Sequence, residues 1–388
     1  MDQGKSRILV SGMLTCAVSL GLGRFAFTPI LPLMQVEAGF GAEEAGWLAA
    51  ANNLGYLIGA IWAGLVTTDA ARHKLLGWGL AITVAMLALM PFTHSFALWS
   101  VIRGIAGIAS AWVFVLASAL VVARLAELGA ARLSGWHFGG VGLGIAIAGI
   151  YVGAIGPDLG ATGGWLGTAV IAGLFSLAAW PALRDAHAQA AQSPASTHTP
   201  DRYPMSLLAA AYFCEGMGYI VTGTFLVVVA KATPGVERFA ALSWVLVGLA
   251  ALPSAAAWSW MAARRGFLPT LVTAHVIQTM GVALPALSPA AGAVMAGAIL
   301  YGGTFLGIVG MALAFGRAIQ PAAAARTMGL LTAVFGIGQI IGPVVAGRLA
   351  AAGDWSPALL FAAAVVFLGG ALLLTGAALS RARALMPQ

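Results

Sequence analysis

The sequence predicts an all-α polytopic membrane protein with twelve transmembrane helices in two pseudo-symmetric six-helix halves. Three observations carry this prediction. Of the 388 residues, 61% are hydrophobic and only 8% are charged, whereas a soluble domain carries about 25% charged residues. The mean hydropathy is +0.95, and long apolar stretches recur along the whole chain. The second part of the chain also repeats sequence patterns of the first part.

The apolar stretches have the length that a bilayer requires, since about 20 predominantly apolar residues span its hydrocarbon core as a helix. The first stretch is too long for a signal peptide and contains Arg24 and two prolines, so we expect it to be retained. The predicted transmembrane helices cover residues 8–34, 46–66, 75–93, 97–123, 136–156, 165–182, 207–230, 240–262, 268–287, 291–315, 326–348 and 357–379.

The basic residues predict the orientation of the chain. With the N-terminus inside, fourteen of the nineteen lysines and arginines fall on the cytoplasmic side and three on the outer side. Cytoplasmic segments of membrane proteins are enriched in Lys and Arg. We therefore expect a multi-pass protein of the bacterial inner (plasma) membrane with both termini cytoplasmic. Topology explains the net charge of +7, so no nucleic-acid partner is expected.

An internal repeat divides the chain. "GLGRFAFTPIL" at 21–31 aligns with "GMGYIVTGTFL" at 216–226, an offset of 195 residues. "GVGLGIAIAG" from position 140 aligns with "GIGQIIGPVV" from position 336, an offset of 196. Two separate helix pairs with nearly one offset indicate two halves of parallel orientation, with a substrate site near the midplane between them. The predicted units are a first half at 1–182, a cytoplasmic linker at 183–206 and a second half at 207–388.

Several motifs are similar to those of the major facilitator superfamily. "LWSVIRGIAG" (98–107) resembles its helix 4 motif, and "GIGQIIGPVVAG" (336–347) resembles its Gly-Pro motif, here on helix 11. "GRFAFTPILPLM", "NNLGYLIGA" and "CEGMGYIVTGTFL" resemble the YbfB/YjiJ-type branch. The resemblance covers essentially the whole chain. It implies the major facilitator fold and secondary transport, but it does not name a substrate.

The loop after helix 2 departs from the superfamily pattern Gly-x-x-x-Asp-Arg-x-Gly-Arg. It reads "GLVTTDAARHK", with Gly64 one residue too far from Asp69 and the second glycine missing. By resemblance, Asp69 and Arg72 form a conformational latch on the cytoplasmic side. The alternative is that they are solvated loop charges.

Arg24, Arg103 and Glu215 are ionisable residues inside predicted helices. Such a residue is costly in a membrane and is a functional-site hypothesis by default. The repeat places Arg24 and Glu215 at similar depth, and the resemblance implies that helices 1 and 7 face each other. We predict that these two residues meet across the centre, directly or through water or solute, and that Glu215 couples transport to protons. The alternative is that Arg24 and Glu215 form a static ion pair. The resemblance implies a role in proton relay or anion binding for Arg103, and the alternative is a helix–helix anchor.

Further polar residues are candidate solute contacts, although each could equally be an interhelical hydrogen-bonding residue. His275 and Gln278 are interpreted as packing or interface residues, because the resemblance places helix 9 on the outside of the bundle. His137, at the inner end of helix 5, is expected to be solvated. The candidate contacts are Asn53, Tyr56, Tyr151, Tyr219 and Thr222.

Glycines supply candidate moving parts, since small residues let helix backbones approach closely. We expect them to line the surface on which the two halves move, and we expect Pro343 to bend helix 11. The conformational candidates, besides Asp69 and Arg72, are Gly55, Gly59, Gly338, Gly342 and Pro343.

The sequence as a whole predicts a secondary active transporter that works by alternating access and is coupled to protons. Two intramembrane arginines against one glutamate favour a small anionic or amphipathic solute. The alternative is a proton/drug antiporter that exports hydrophobic or toxic compounds. No enzyme motif is present, and no cofactor or metal is expected. The expected partners are the solute, protons and the lipid bilayer, and we expect a monomer.

Overall fold

The computed structural model describes residues 3–184 and 203–385. Within these ranges it contains twelve helices that are long and apolar enough to cross a membrane, and no strand, which confirms the predicted fold class. The helices are α1 Gln3–Ala38, α2 Ala42–Leu65, α3 Asp69–Phe92, α4 Phe96–Glu127, α5 Ala131–Gly156, α6 Asp158–Arg184, α7 Met205–Ala232, α8 Glu237–Arg265, α9 Phe267–Leu287, α10 Ala291–Ile319, α11 Pro321–Leu349 and α12 Ser356–Ser380.

Helix α1 is interrupted near its centre. A π-helical segment covers Ala17–Leu22, and regular α-helix resumes only at Phe27. Proline has no N–H, and its ring clashes with the carbonyl four residues earlier. Pro29 therefore cannot bond to the carbonyl of Phe25, which instead accepts from the N–H of Thr28 at 3.2 Å. The turn at residues 23–26 contains Arg24.

Helices α5 and α6 follow each other almost without a loop. The sequence predicts a gap between residue 156 and residue 165, but helix continues through most of it. Gly160, in the first turn of α6, kinks the helix, because its φ of 59° lies in the left-handed region that glycine adopts without penalty. At this break the carboxylate of Glu37 accepts the N–H of Ala161 at 2.7 Å and so caps the resumed helix.

We call α1–α6 the first half and α7–α12 the second half. Equivalent helices make equivalent contacts: α1 packs on α5 as α7 packs on α11, and α2 packs on α11 as α8 packs on α5. The hydroxyl of Thr28 donates to the carbonyl of Gly223 at 2.5 Å. These two residues are equivalent in the repeat, so they lie next to the pseudo-two-fold axis. Most of the predicted linker at 183–206 lies outside the described residues.

The two halves pack closely along two helix pairs. In the pair α5–α8, a Cβ atom at Gly142 would overlap the backbone of Gly248. In the pair α2–α11, a Cβ atom at Gly46 would overlap the carbonyl of Pro343. The Nε of Arg348 in α11 also lies 3.1 Å from a carboxylate oxygen of Glu43 in α2. Small residues therefore bring the backbones of the two halves together.

Along the pair α2–α11 the contact is not continuous. Leu57 still packs against Gly336. Gly64 and Gly329 lie one heptad further along their helices, toward the side of the bundle that carries Gln3. A Cβ atom at either glycine would meet no atom within 4 Å. We call this side the N-terminal side. The two helices therefore diverge toward the N-terminal side.

The predicted position of four conformational glycines is wrong. Gly55 and Gly59 pack against the backbone of α4, and Gly338 and Gly342 pack against the backbone of α7. These contacts lie within one half and not between the halves. The physical reason is the helical period, because residues on α2 that face α11, such as Gly46 and Leu57, point away from the face that carries Gly55.

Gly55→Leu should destabilise the protein, because its side chain would overlap the carbonyl of Gly104 in α4. Overpacking of this kind costs about 1–3 kcal/mol. Gly64→Leu on the same helix is the matched control, since its added side chain meets open space. Thermal unfolding of the purified variants in detergent is the measurement. Equal melting temperatures for Gly55→Leu and the wild-type protein would contradict the packing described above.

Candidate functional site

Arg24 is buried at the break in α1, with 5% of its surface exposed. Its Nη2 donates to Oδ1 of Asn53 in α2 at 2.7 Å. The guanidinium carbon lies 5.0 Å from the ring centre of Tyr56 and 5.4 Å from that of Phe25. Aromatic faces attract a cation and stabilise it when it is withdrawn from water. Asn53 and Tyr56, both predicted site residues, are therefore direct neighbours of Arg24.

The hydrogen bonds of Arg24 continue into the second half. Pro343 has no N–H, so the carbonyl of Gln339, four residues earlier in α11, has no donor within its own helix. Nδ2 of Asn53 donates to this carbonyl at 2.6 Å. The side-chain amide of Gln339 in turn donates to the hydroxyl of Tyr219 in α7. A continuous polar network thus joins α1, α2, α11 and α7.

Arg103 lies in α4 and is 3% exposed. Its guanidinium carbon lies 4.4 Å from the ring centre of Phe27 in α1, and its backbone carbonyl accepts a bond of 2.9 Å from Asn52. The Nε atom of Arg103 and the Oδ1 atom of Asn52 are buried and have no partner among the described residues. Unpaired buried polar atoms of this kind are rare in folded proteins, so both remain available to a ligand.

Arg24 and Arg103 border the same cavity between α1, α2, α4 and α7. No Asp or Glu lines this cavity, and within the described part of the chain neither arginine forms an ion pair. Its volume is about 10 Å³, which corresponds to about one water molecule. The cavity is therefore too small to hold a solute in this conformation. Its polar lining residues are Arg24, Arg103, Asn52, Asn53, Thr28 and Thr224.

The structure does not bring Glu215 into contact with Arg24. Glu215 is fully buried in α7 and accepts a bond of 2.7 Å from Nε2 of Gln278. Its second carboxylate oxygen lies 3.8 Å from Nε2 of His275. Both partners belong to α9 and are buried, so His275 and Gln278 form an interface with α7 and do not lie on the outside of the bundle. Glu215 lies one turn before Tyr219 in α7, and the network described above reaches α7 at Tyr219.

Tyr219 also belongs to a stack of nearly parallel aromatic rings. Its ring centre lies 5.4 Å from that of Phe335 in α11 and 5.9 Å from that of Phe305 in α10. Tyr301 continues the stack beyond Phe305, and Tyr212 continues it beyond Phe335. The rings are inclined to their neighbours by only 11 to 19°. The second half thus places a stack of buried aromatic rings next to the arginine site.

Two other predicted contacts lie elsewhere or lack a partner. The hydroxyl of Tyr151 donates to the carbonyl of Gly163 at 3.1 Å, so its side chain joins α5 to α6 and does not contact the arginines. Thr222 is buried, and its hydroxyl has no hydrogen-bond partner among the described residues. The expectation that His137 is solvated is wrong, since it is fully buried and bonds to Ser118.

Asp69 and Arg72 form a local pair in the first turn of α3. Nη1 of Arg72 lies 3.5 Å from a carboxylate oxygen of Asp69, and its Nε donates to the carbonyl of Val66 at 3.1 Å. Both side chains are about half exposed, so this pair contributes little to stability. The structure connects them within one turn, and their role as a latch stays a prediction.

Sequence reasoning did not identify Gln339 and Thr28 as members of the central site. A signal for Gln339 was present, because Pro343 leaves the carbonyl four residues before it without a donor. A signal for Thr28 was also present, because the repeat makes Thr28 equivalent to Gly223, and these two residues meet next to the pseudo-two-fold axis. The partners of Glu215 on α9 carry no comparable signal, since no repeat or spacing relates them to α7.

The sequence of the chain matches known membrane transporters. The sequence model of a family described as "Uncharacterised MFS-type transporter YbfB" matches residues 16–374. The "Uncharacterized MFS-type transporter YceJ" of Bacillus subtilis (strain 168) is 32% identical over 94 residues. This match spans 24% of the chain and only 24% of that relative's length.

Among solved structures, the nucleoside transporter NupG has the same fold. A point mutant of NupG matches with a TM-score of 0.75 and 15% identity, over 96% of this chain and all of that one. The unmutated protein matches with a TM-score of 0.73 and 15% identity, over 96% and 99% of the respective chains. The chain belongs to the YbfB-type family of transporters in the major facilitator superfamily, and its described residues form twelve helices that are long and apolar enough to cross a membrane.

Proposed function

We propose that the protein is a secondary active transporter that moves a small anionic or amphipathic solute across the bacterial inner membrane by alternating access, coupled to protons. The single observation that carries this proposal is the pair Arg24 and Arg103, which border one cavity with no carboxylate. Its partners would be the solute, protons and the bilayer, without nucleic acid, and it would act as a monomer.

The charge balance supports an anion. Two guanidinium groups withdrawn from water repel each other, and removal of either charge from water is costly unless a counter-charge is present. Aromatic rings and the oxygen of Asn53 compensate the cost only in part. A carboxylate or phosphate could accept several N–H groups of one guanidinium in a planar arrangement. An anion between Arg24 and Arg103 would therefore stabilise both residues.

The stacked rings beside the site support an amphipathic solute. A planar or apolar part of the solute could pack against the rings of Tyr219 and Phe305 while its anionic group engages the arginines. The same rings support the second candidate function, a proton/drug antiporter that exports hydrophobic or toxic compounds. The two candidates differ in whether the solute must carry a negative charge.

Alternating access would require the two halves to move relative to each other. The helix pair α2–α11 is in contact at the side opposite to the N-terminal side and diverges toward the N-terminal side. With the predicted orientation, this conformation is closed outside and begins to open toward the cytoplasm. The bond from Asn53 to Gln339 joins the halves at the site itself, so an anion that displaces Arg24 from Asn53 would alter this contact.

Organic anions should raise the melting temperature of the purified wild-type protein, because they bind the folded state only. Arg24→Gln and Arg103→Gln should each abolish this stabilisation. Arg238→Gln is the matched control, since this arginine is exposed in the first turn of α8, and it should respond as the wild type does. Stabilisation by neutral hydrophobic compounds that survives both site substitutions would favour the antiporter instead.

Glu215→Gln should separate exchange from gradient-driven transport. Glutamine resembles the protonated carboxyl group, so the variant should still exchange solute in counterflow but lose accumulation driven by a pH gradient. Proteoliposomes that contain either protein allow both assays. Full gradient-driven uptake by Glu215→Gln would exclude this residue as the coupling group.

Cysteine labelling tests the orientation. In a background without Cys16 and Cys214, a membrane-impermeant maleimide should label Glu44→Cys in intact cells. It should label Arg132→Cys, in the first turn of α5, only after lysis. Both positions are exposed in the fold, so burial does not limit the reaction. The reverse pattern would place both termini outside.

A further inference from the structure

A second buried polar cluster lies apart from the arginine site, between α7 and α9. It consists of Glu215, His275 and Gln278, of which none is more than 3% exposed. Two glycines of α12 make room for it. A Cβ atom at Gly369 would lie 3.3 Å from the ring of His275, and one at Gly370 would lie 3.2 Å from its Cβ. Larger residues at these positions would crowd the histidine.

The hydrogen bonds indicate which atoms of the cluster carry a proton. Nδ1 of His275 lies 2.8 Å from the carbonyl of Leu271, which can only accept, so Nδ1 carries the proton of the neutral ring. Nε2 then presents a lone pair. It faces Oε2 of Glu215 at 3.8 Å, and neither atom has another partner among the described residues. The other carboxylate oxygen, Oε1, already accepts from Gln278.

A deprotonated Glu215 would leave two lone pairs facing each other in a buried site. One proton between Oε2 and Nε2 removes this conflict and satisfies both atoms. A protonated carboxyl group that donates to a neutral imidazole introduces no buried charge, whereas an imidazolium–carboxylate pair must compensate two desolvated charges. The separation of 3.8 Å shortens by roughly 1 Å to give a hydrogen bond.

We propose that Glu215 and His275 form a binding site for a single proton, held on Oε2 of Glu215 and accepted by Nε2 of His275. Gln278 orients the carboxyl group through Oε1. This inference deepens the proposed function, since it rests on Glu215 as the coupling residue and adds a partner on α9. His275 acts as a positioning residue that sets the proton affinity of Glu215.

The surroundings of Glu215 contain few other titratable groups. Those that interact with it are Tyr212, Cys214 and Tyr219 of α7 and Tyr301 of α10. Helix α12 contributes glycine backbone at this place. No Lys or Arg of the described chain forms an ion pair with Glu215. His275 is therefore the nearest group that can accept the proton.

Difference infrared spectroscopy on the purified protein in detergent tests the site without solute or gradient. At neutral pH the wild-type protein should show the C=O stretch of a protonated carboxyl group that Glu215→Gln lacks. His275→Asn keeps a donor for the carbonyl of Leu271 but removes the acceptor Nε2. The band should then titrate at lower pH by about one unit, a tenfold loss of proton affinity, as expected for one lost hydrogen bond.

His137→Asn is the matched control, because this histidine is equally buried but bonds to Ser118 and not to a carboxylate. It should leave the titration unchanged. A wild-type spectrum without the band at neutral pH would overturn the proposal even if His275→Asn does not fold. An unchanged midpoint in folded His275→Asn would overturn it as well. Failure of anion transport with an intact, His275-dependent band would contradict only the proposed function.

Discussion

One backbone carbonyl, that of Gln339, joins the two halves at the centre of the molecule. It is available because Pro343 has no N–H to donate to it, and Asn53 of the opposite half donates instead. This bond holds the amide of Asn53 so that its oxygen points at the guanidinium of Arg24. The position of Arg24 thus depends on a proline in the other half. Relative movement of the halves cannot leave the environment of Arg24 unchanged.

The break in α1 is the second feature on which the position of Arg24 depends. A regular helix would satisfy its own backbone and would leave Arg24 as an isolated charge on an apolar surface. Pro29 and the π-helical segment interrupt α1 at this residue. At this interruption the guanidinium group lies close to the rings of Tyr56 and Phe25. Thr28, just after the break, bonds to α7, so the irregular segment lies between both halves.

In the proposed mechanism the anion and the proton occupy separate sites that share α7. The anion would lie between Arg24 and Arg103, and the proton between Glu215 and His275. Tyr219 interacts electrostatically with both Arg24 and Glu215, and it lies one turn after Glu215 in the same helix. A helix that moves as a rigid element would transmit a change at one site to the other. Because binding free energies are reciprocal, each ligand would then alter the affinity for the other.

The sequence by itself determined the twelve helices, the repeat and the three costly charges, because hydropathy, period and charge are local properties of a chain. It could also place Arg24 and Tyr219 at one depth, since the repeat carries that information. Only the tertiary structure decided which groups meet. Glu215 contacts α9 and not Arg24, and Gly55 faces α4 and not α11. The helical period states that two residues lie on different faces of a helix, but it does not state which neighbour each face meets. That choice depends on how twelve similar apolar helices pack, and their hydropathy hardly distinguishes them.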